Sequence, residues 1–498
     1  MGVTSARRIA WASLLAGLWL AAAPAKSDAP PASDGAERAE EASDADAGED
    51  PEDIMGGFED DGFPSGEPEP SQSGSESESE SESESEPAGP ERWWEFSGDV
   101  SITEAFAVQD HHSSSGTDYQ GLIGLRTRAG LQLDLDLPRD WQARAAGSGF
   151  YDFAYLINGR GEYTNQVLNS YEWDADVGEL WVEGPLLPAL DLKLGRQIVN
   201  WGRSDTLRVL DVLNPVDNRE PGLLDLVDLR LPVGMAKLSY YPHPGWSVTG
   251  IAIPEIRFSL DPPYGSDFFP APAPLPPETT SSGFSARHSQ WAAAVSGNFE
   301  GWDLSFHFAD AYEDVPRLDP TSQVPGGFQM KHSRVLLGGV GGDYAFGSWL
   351  VKAELAVLDG IDFATTGKKT RIDAMLGLEY YGIAENTFAL EIVNRHLDDF
   401  EGSMKGFPDF ARRDTVETAL RWSADWWHAR LHTTALAIVI GEKAQDGSVL
   451  RFSGDYDIRD GLSAGVGIQI FLEGTDSNGL LDPFAQNDRV FLRVKYSF

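Results

Sequence analysis

From Trp93 to Phe498, apolar and polar residues alternate over stretches of roughly ten residues, as in half-buried strands. "GLRTRAGLQLDLDL" sets Leu125, Thr127, Ala129, Leu131 and Leu133 on one side and Arg126, Arg128, Gln132 and Asp134 on the other. "WLVKAELAVL" sets Val351, Ala353, Leu355 and Val357 against Lys352, Glu354 and Ala356. "RIDAMLGLEYY" sets Ile372, Ala374, Leu376, Leu378 and Tyr380 against Arg371, Asp373, Gly377 and Glu379. "LSAGVGIQIFL" and "VFLRVKYSF" repeat the pattern. Successive side chains of a strand point to opposite faces, so this period of two predicts strands with one apolar face. About eighteen such segments (16–18) fit between Trp93 and Phe498.

A soluble sandwich alternates as well, and two features argue against one. The connections alternate between short ("LPRDW", "HPGW", "FEGW", "FGSW", "GIAEN", "ADWW", "IRDG") and long, such as 154–173, 259–289 and 397–413. Transmembrane β-barrels have this asymmetry, with tight turns on one side of the membrane and long loops on the other. Tryptophan also recurs at the short turns, as Trp141, Trp246, Trp302, Trp349, Trp426 and Trp427. Repetition at one level is the interfacial aromatic girdle. A sheet in a bilayer has to close, because every backbone polar group must find a partner. The expected fold is therefore all-β: an antiparallel up-and-down transmembrane barrel over 92–498, with both ends on the periplasmic side.

The start of the chain has other physics. Arg7 and Arg8, an apolar run and the Ala23 and Ala25 pair read as a signal peptide over 1–25. Residues 26–91 are dominated by Asp, Glu, Ser, Pro, Ala and Gly, and read as a disordered, acidic periplasmic tether. Within it, 53–63 carries Ile54, Met55 and Phe58 among acids, the dress of a short docking motif. The whole chain has 79 acidic against 38 basic residues, a net charge of −41, which argues against nucleic acid as a partner. There is no cysteine, so thiolate metal sites and disulfides are excluded. Neither a metal nor a cofactor is expected. Nine histidines are present without a G-x-S-x-G or H-E-x-x-H motif, so an enzyme is not expected.

One stretch breaks the pattern: "LKLGRQIVNWGRSDTLRVLDVLNPVDNREPG" starts as a strand and becomes crowded with charge. In a barrel that strand reaches the outer rim near Trp201, and the following segment can turn back into the lumen. Asn200, Trp201, Arg203, Asp205, Arg208, Asp211, Asn214, Asp217 and Arg219 are the candidate constriction residues. Arg126, Arg128, Glu354, Arg371, Asp373, Glu379 and Arg421 are candidate lumen-wall partners, since buried charge demands pairing. Ser204 or Asp205 as a cap, with Leu207, Leu210 and Leu213 at helical spacing before Pro215, predicts a helix at the start of the segment; "PGLLDLVDLRLP" reads similarly. Strict alternation from Leu192 and Leu194 points Arg196 towards lipid, so either a bulge at Gly195 or a guanidinium at headgroup level is expected.

Two resemblances add to this reading. "RVFLRVKYSF", with Val490, Leu492, Val494, Tyr496 and Phe498 on one side, resembles the C-terminal signal by which the barrel-assembly machinery recognises outer-membrane proteins. "GRQIVNWGRSDTLRVLDVLNPVDNREPG" is similar to the "GRQ…WG…NP" segment of a family of proteobacterial outer-membrane barrels of unknown function. Gly195, Arg196, Gln197, Trp201, Gly202, Asn214 and Pro215 hold the matching positions, and "DIMGGFEDD" looks like an element of that family's N-termini. The family is associated with RND-type exporters of the inner membrane. The resemblance implies an outer-membrane location, contact with outer-membrane lipid, and transport of hydrophobic cargo with a periplasmic or RND-exporter partner. The resulting expectation is an outer-membrane channel for small or hydrophobic solutes, constricted after residue 201. A structural or surface-interaction barrel is the alternative, and an outer-membrane lipase or protease a weaker one.

Overall fold

Eighteen strands form one closed antiparallel sheet in which every strand pairs with its neighbours in sequence, and the first pairs with the last. They are β1 Trp94–Ala107, β2 Leu122–Leu137, β3 Trp141–Asp152, β4 Trp173–Leu187, β5 Leu190–Gln197 and β6 Val233–His243. Next come β7 Trp246–Ile253, β8 Gln290–Phe299, β9 Trp302–Val324, β10 Gly327–Phe346, β11 Trp349–Phe363 and β12 Gly367–Ile383. The last six are β13 Asn386–Leu397, β14 Asp414–Trp426, β15 Leu431–Ile440, β16 Ser448–Arg459, β17 Leu462–Leu472 and β18 Arg489–Ser497. This computed structural model describes residues 92–220, 229–271, 273–280, 282–324, 327–476 and 479–498. The expectations for 1–25 and 26–91, and for Ile54, Met55 and Phe58, lie outside the described residues.

The alternation sets which face is which. Leu131, Leu180, Leu336, Leu376 and Leu420 point outwards and are 53–59 % exposed, which is intelligible only if hydrocarbon covers them. On the opposite face, Lys352, Glu354, Asp373, Glu391 and Glu417 are each less than 5 % exposed. The barrel is thus apolar outside and charged inside, the reverse of a soluble sandwich. Trp141, Trp246, Trp302 and Trp349 open β3, β7, β9 and β11 at the tight turns, and Trp426 closes β14, placing indoles at one rim. Closure is completed at the ends of the chain. Ser101 of β1 lies between Arg128 of β2 and Lys495 of β18, and the Phe498 amide donates to the Gly98 carbonyl at 2.9 Å.

The strands are unequal. β9 and β10 have 23 and 20 residues, whereas β5 and β7 have 8 each. The wall is therefore low beside β5, where the chain leaves the sheet at Gln197.

Arg196 resolves without a bulge. The β5–β6 ladder runs unshifted through Leu194, Gly195 and Arg196, and the β4–β5 ladder shifts only near the turn, at Pro185. Gly195 instead takes φ +129, and a Cβ there would meet the Leu180 carbonyl oxygen at 2.2 Å. This backbone turn is open only to glycine. It brings the Arg196 guanidinium to Asp176 (3.3 Å), Glu255 (3.2 Å) and the Val177 carbonyl (2.8 Å).

Candidate functional site

After Gln197 the chain turns into the lumen and lies against the far wall. Trp201, Leu207, Val209, Leu210 and Leu213 are buried with Leu337, Ala356, Leu358, Met375, Val393 and Ile438, which project inwards from β10 to β15. Leu207 and Leu210 are fully buried. This apolar contact is a second core inside the barrel, and its burial contributes to holding the segment in place. Room for it comes from β10, where a Cβ on Gly339 would stand 2.2 Å from Leu210 Cδ2.

The predicted helix at 204–214 is absent. The physical reason is competition for its amides. Glu391 accepts hydrogen bonds from the backbone N–H groups of Asp205 (2.7 Å), Thr206 (3.1 Å) and Leu207 (2.8 Å). Glu354 accepts from the N–H groups of Arg203, Ser204 (3.2 Å) and Leu210 (3.0 Å). Wall carboxylates thus satisfy donors that a first helical turn leaves open or bonds internally. The Ser204 hydroxyl donates to the Leu207 carbonyl at 2.5 Å and so does not act as an N-cap acceptor. Of "PGLLDLVDLRLP", residues 221–228 lie outside the described residues.

Ion pairs complete the attachment. Arg203 reaches Asp303 of β9 (2.9 Å) and Asp343 of β10 (3.5 Å), and Asp205 accepts from Lys352 (2.7 Å), which also pairs with Glu379. Arg395 of β13 joins Asp373 (2.9 Å) and Glu417 (2.8 Å) on the wall and donates to the Arg208 carbonyl (3.0 Å). Within the segment, Asp211 accepts from both Arg208 and Arg230, each at 3.1 Å. Asn214, buried, ties entry to exit: its side chain accepts from Val199 N (2.8 Å) and donates to Gln197 O (3.2 Å) and Leu231 O (3.0 Å). Arg219 holds Asp217 (2.7 Å) and Asp174 (3.1 Å).

The candidates therefore divide. Trp201, Arg203, Asp205, Arg208, Asp211, Asn214, Asp217 and Arg219 all lie in this internal plug. Asn200 is exposed at its entrance and shares none of these contacts. On the wall, Glu354 grips the plug directly, Glu379 and Asp373 act through Lys352 and Arg395, and Arg126 pairs with Glu220 and Asp152. Arg128 pairs with Asp99 (3.6 Å) and Arg371 with Asp373 and Glu313, wall to wall, while Arg421 donates to Ser423 (3.2 Å) and its charge also reaches Asp205 of the plug. Sequence reasoning missed Glu391, Asp303, Asp343 and Arg395. The signal for Glu391 was a carboxylate flanked by apolar residues in "FALEIVN", at an inward position of its strand. The signal for the docking wall was "GGVGG" in mid-strand, a mark of close backbone approach.

The long Pro-rich connection after β7 also packs on the plug. Its backbone pairs with the plug (Asn218 N to Leu260 O, 2.8 Å; Leu260 N to Val216 O, 3.0 Å). It then crosses the mouth, where Asp267 pairs with Arg489 (2.7 Å) and Phe268 is buried with Ile440, Phe471, Leu480 and Phe484. Where loop and plug meet, burial and then the charge of Asp314 push the Asp261 carboxyl up to about 8. Between the plug and β2–β4 a cavity of about 450 Å³ remains, lined by Arg126, Phe150, Asp176, Ile198, Arg219 and Leu260 among others. A smaller cavity of about 90 Å³ adjoins it along β1 and β18.

These features define a membrane-spanning β-barrel with a folded internal plug and a roofed mouth. Residues 115–498 match the family described as "Protein of unknown function (DUF1302)", and the chain belongs to that family. No curated protein matches it. Similar solved structures include Pseudomonas aeruginosa OpdK with vanillate, at 12 % identity and TM-score 0.47, covering 81 % of this chain and 98 % of that one. P. aeruginosa OccK9 (OpdG) is similar at 12 % identity and TM-score 0.49, covering 81 % and 98 %. Acinetobacter baumannii OccAB3 is similar at 10 % identity and TM-score 0.48, covering 81 % and 99 %.

Proposed function

We propose that the protein is an outer-membrane channel for small or hydrophobic solutes, narrowed by the plug formed after Trp201. The observation that carries this reading is how the plug is held. A barrel filled only for stability can be closed by apolar side chains alone. Here ten backbone and ionic contacts rest on a few inward carboxylates, Lys352 and Arg395 in a polar lumen, and a cavity remains beside them. Hydrogen bonds to charged groups are strong in a dry site but exchangeable for water when the site opens, which suits a movable constriction. Flux of small solutes into vesicles containing the full chain tests the reading. Transfer above that of empty vesicles supports it, and a sealed barrel under all solutes and voltages overturns it.

The enzyme alternative lacks a complete constellation. Ser305 and His307 are 2.8 Å apart, but among the described residues the other ring nitrogen of His307 has no hydrogen-bond partner that could orient it. Coupling to a periplasmic or RND-exporter partner belongs to the same proposal and is motivated by Ile54, Met55 and Phe58 in the acidic N-terminal segment. Capture of such a partner by the full chain, lost on replacing those three residues with Ser, is the outcome that supports it.

A further inference from the structure

The low wall beside β5 has a consequence for the route. β5 pairs with β4 only from Leu190 to Arg196, opposite Leu187 to Leu180. β4 continues outwards to Trp173 while β5 ends at Gln197 and its chain enters the lumen. Six steps of β5, tilted by about 40°, raise the top of the β4–β5 ladder only about 16 Å above the tight turn. The apolar band of such a barrel is about 25 Å tall. The break therefore opens within the depth of the hydrocarbon.

What fills the break differs from what closes the wall elsewhere. Among the described residues, no backbone hydrogen bond joins 173–179 of β4 to the segment after β5. Side chains stand in: Arg196 donates to the Val177 carbonyl, and the Ile198 amide donates to the Glu179 carboxylate at 3.3 Å. Irregular backbone at membrane depth is tolerated where it lines a cavity, and the cavity of about 450 Å³ lies directly behind, with Ile198, Pro232 and Leu260 in its lining. Outside the break, Val177 and Leu180 are 52 % and 53 % exposed. The outer face is thus apolar up to the break, the break itself is held by Arg196, Asp176 and Glu179, and behind it Ile198, Pro232 and Leu260 are apolar members of an otherwise largely charged lining. Above, the axial exit is roofed by residues 259–271, with Phe268 buried and Asp267 paired to Arg489.

We propose that the break between β4 and the end of β5, latched by Arg196, is a side portal through which an amphiphile with an apolar chain passes between the outer-leaflet hydrocarbon and the lumen cavity. The proposal rests on the channel reading above and names its route and solute class. Such a solute keeps its chain against Ile198 and Leu260, while the charged lining solvates its polar end. A cavity of this size suits a ligand of small-molecule to single-chain dimensions. Arg196 spans the break to Asp176 and Val177 O, beside the Ile198–Glu179 bond and the Arg257–Asp176 (2.7 Å) and Arg219–Asp174 (3.1 Å) pairs, so its loss loosens the portal and full opening breaks the remaining contacts as well.

The test places a benzoylphenylalanine photocrosslinker at single positions of the full chain in phospholipid vesicles. Leu131, on the outer face, is the positive control. Leu350, fully buried on β11 between two paired strands and in the lining of neither cavity, is the negative control. Ile198 is the test position. Irradiation is expected to capture acyl chains at Ile198 at least ten-fold above Leu350, with a further rise in the Arg196→Ala background and none at Leu350. Capture at Ile198 no greater than at Leu350 in both backgrounds overturns the portal. Solute flux in the same vesicles separates the two readings: flux without capture overturns the portal alone, and neither flux nor capture overturns the channel as well.

Discussion

Glu391 is the most informative single position. Its carboxylate accepts three backbone N–H groups of the plug, from Asp205, Thr206 and Leu207, at 2.7–3.1 Å. Glu391→Ala leaves those donors without the acceptor, and the nearest inward neighbours on the strand, Ala389 and Val393, supply none. An unpaired buried donor costs about 1–3 kcal/mol. Water can enter the adjoining cavity and recover part of this, so the lower end, about 3 kcal/mol in total, is the working figure. Since 1.4 kcal/mol is a factor of ten, the open population of the plug is expected to rise by about two orders of magnitude. Glu391→Gln keeps one acceptor oxygen and loses the other, so about one contact fails and the rise is about fivefold. Arg371→Gln is the control, because Arg371 pairs with Asp373 and Glu313 on the wall. Single-channel recording reads open probability, and retarded migration of the unheated barrel on a gel shows that the sheet has closed. Folded Glu391→Ala barrels with the open probability of the native chain refute the reasoning.

Three further outcomes follow from the same geometry. Gly339→Leu fills the space taken by Leu210, so the plug is expected to be displaced and conductance raised without loss of the barrel, as measured by recording and by trypsin cutting at Arg208. Asn214→Ala removes three hydrogen bonds that join the two ends of the plug, about 3 kcal/mol in all, and trypsin cleavage at Arg208 is expected to speed up by about two orders of magnitude. For Asp261, the carboxyl is raised to about 8 in the closed loop, against about 3.9 in an open one. The closed form therefore binds the extra proton between those values; its contribution is complete below about pH 4 and is lost as pH rises through about 8. Hydrogen-exchange protection of residues 259–261, corrected for intrinsic rates, is expected to fall from about pH 5 to about pH 9, and Asp261→Asn to flatten the profile.

The barrel was legible in the sequence because one rule governs every strand. A residue such as Leu376 or Leu420 meets lipid, and its neighbour meets the lumen, whatever the loops do. The plug was legible as a charged, apolar-striped segment at the right strand end, and most of its candidate residues lie inside the barrel. Its conformation was not legible. The Leu207, Leu210 and Leu213 spacing fits a helix, but Glu354 and Glu391 lie about 150 or more residues downstream and claim the amides that a helix would use. Local periodicity carries no information about an acceptor supplied by a distant strand. The same limit applies to the Pro-rich connection 259–289, whose composition is silent on the burial of Phe268 by residues of β15, β17 and the loop before β18. Arg196 shows the converse: alternation flagged the conflict correctly, and the resolution depended on a glycine φ and on Asp176 and Glu255, which no strand pattern supplies.

The claim that the segment after Trp201 narrows a conduit is tested most directly by single-channel conductance of the full chain with residues 203–213 replaced by a short Gly-Ser linker. Larger and longer openings than those of the native barrel are the predicted result. A correctly closed barrel whose conductance is unchanged by that replacement would contradict the account.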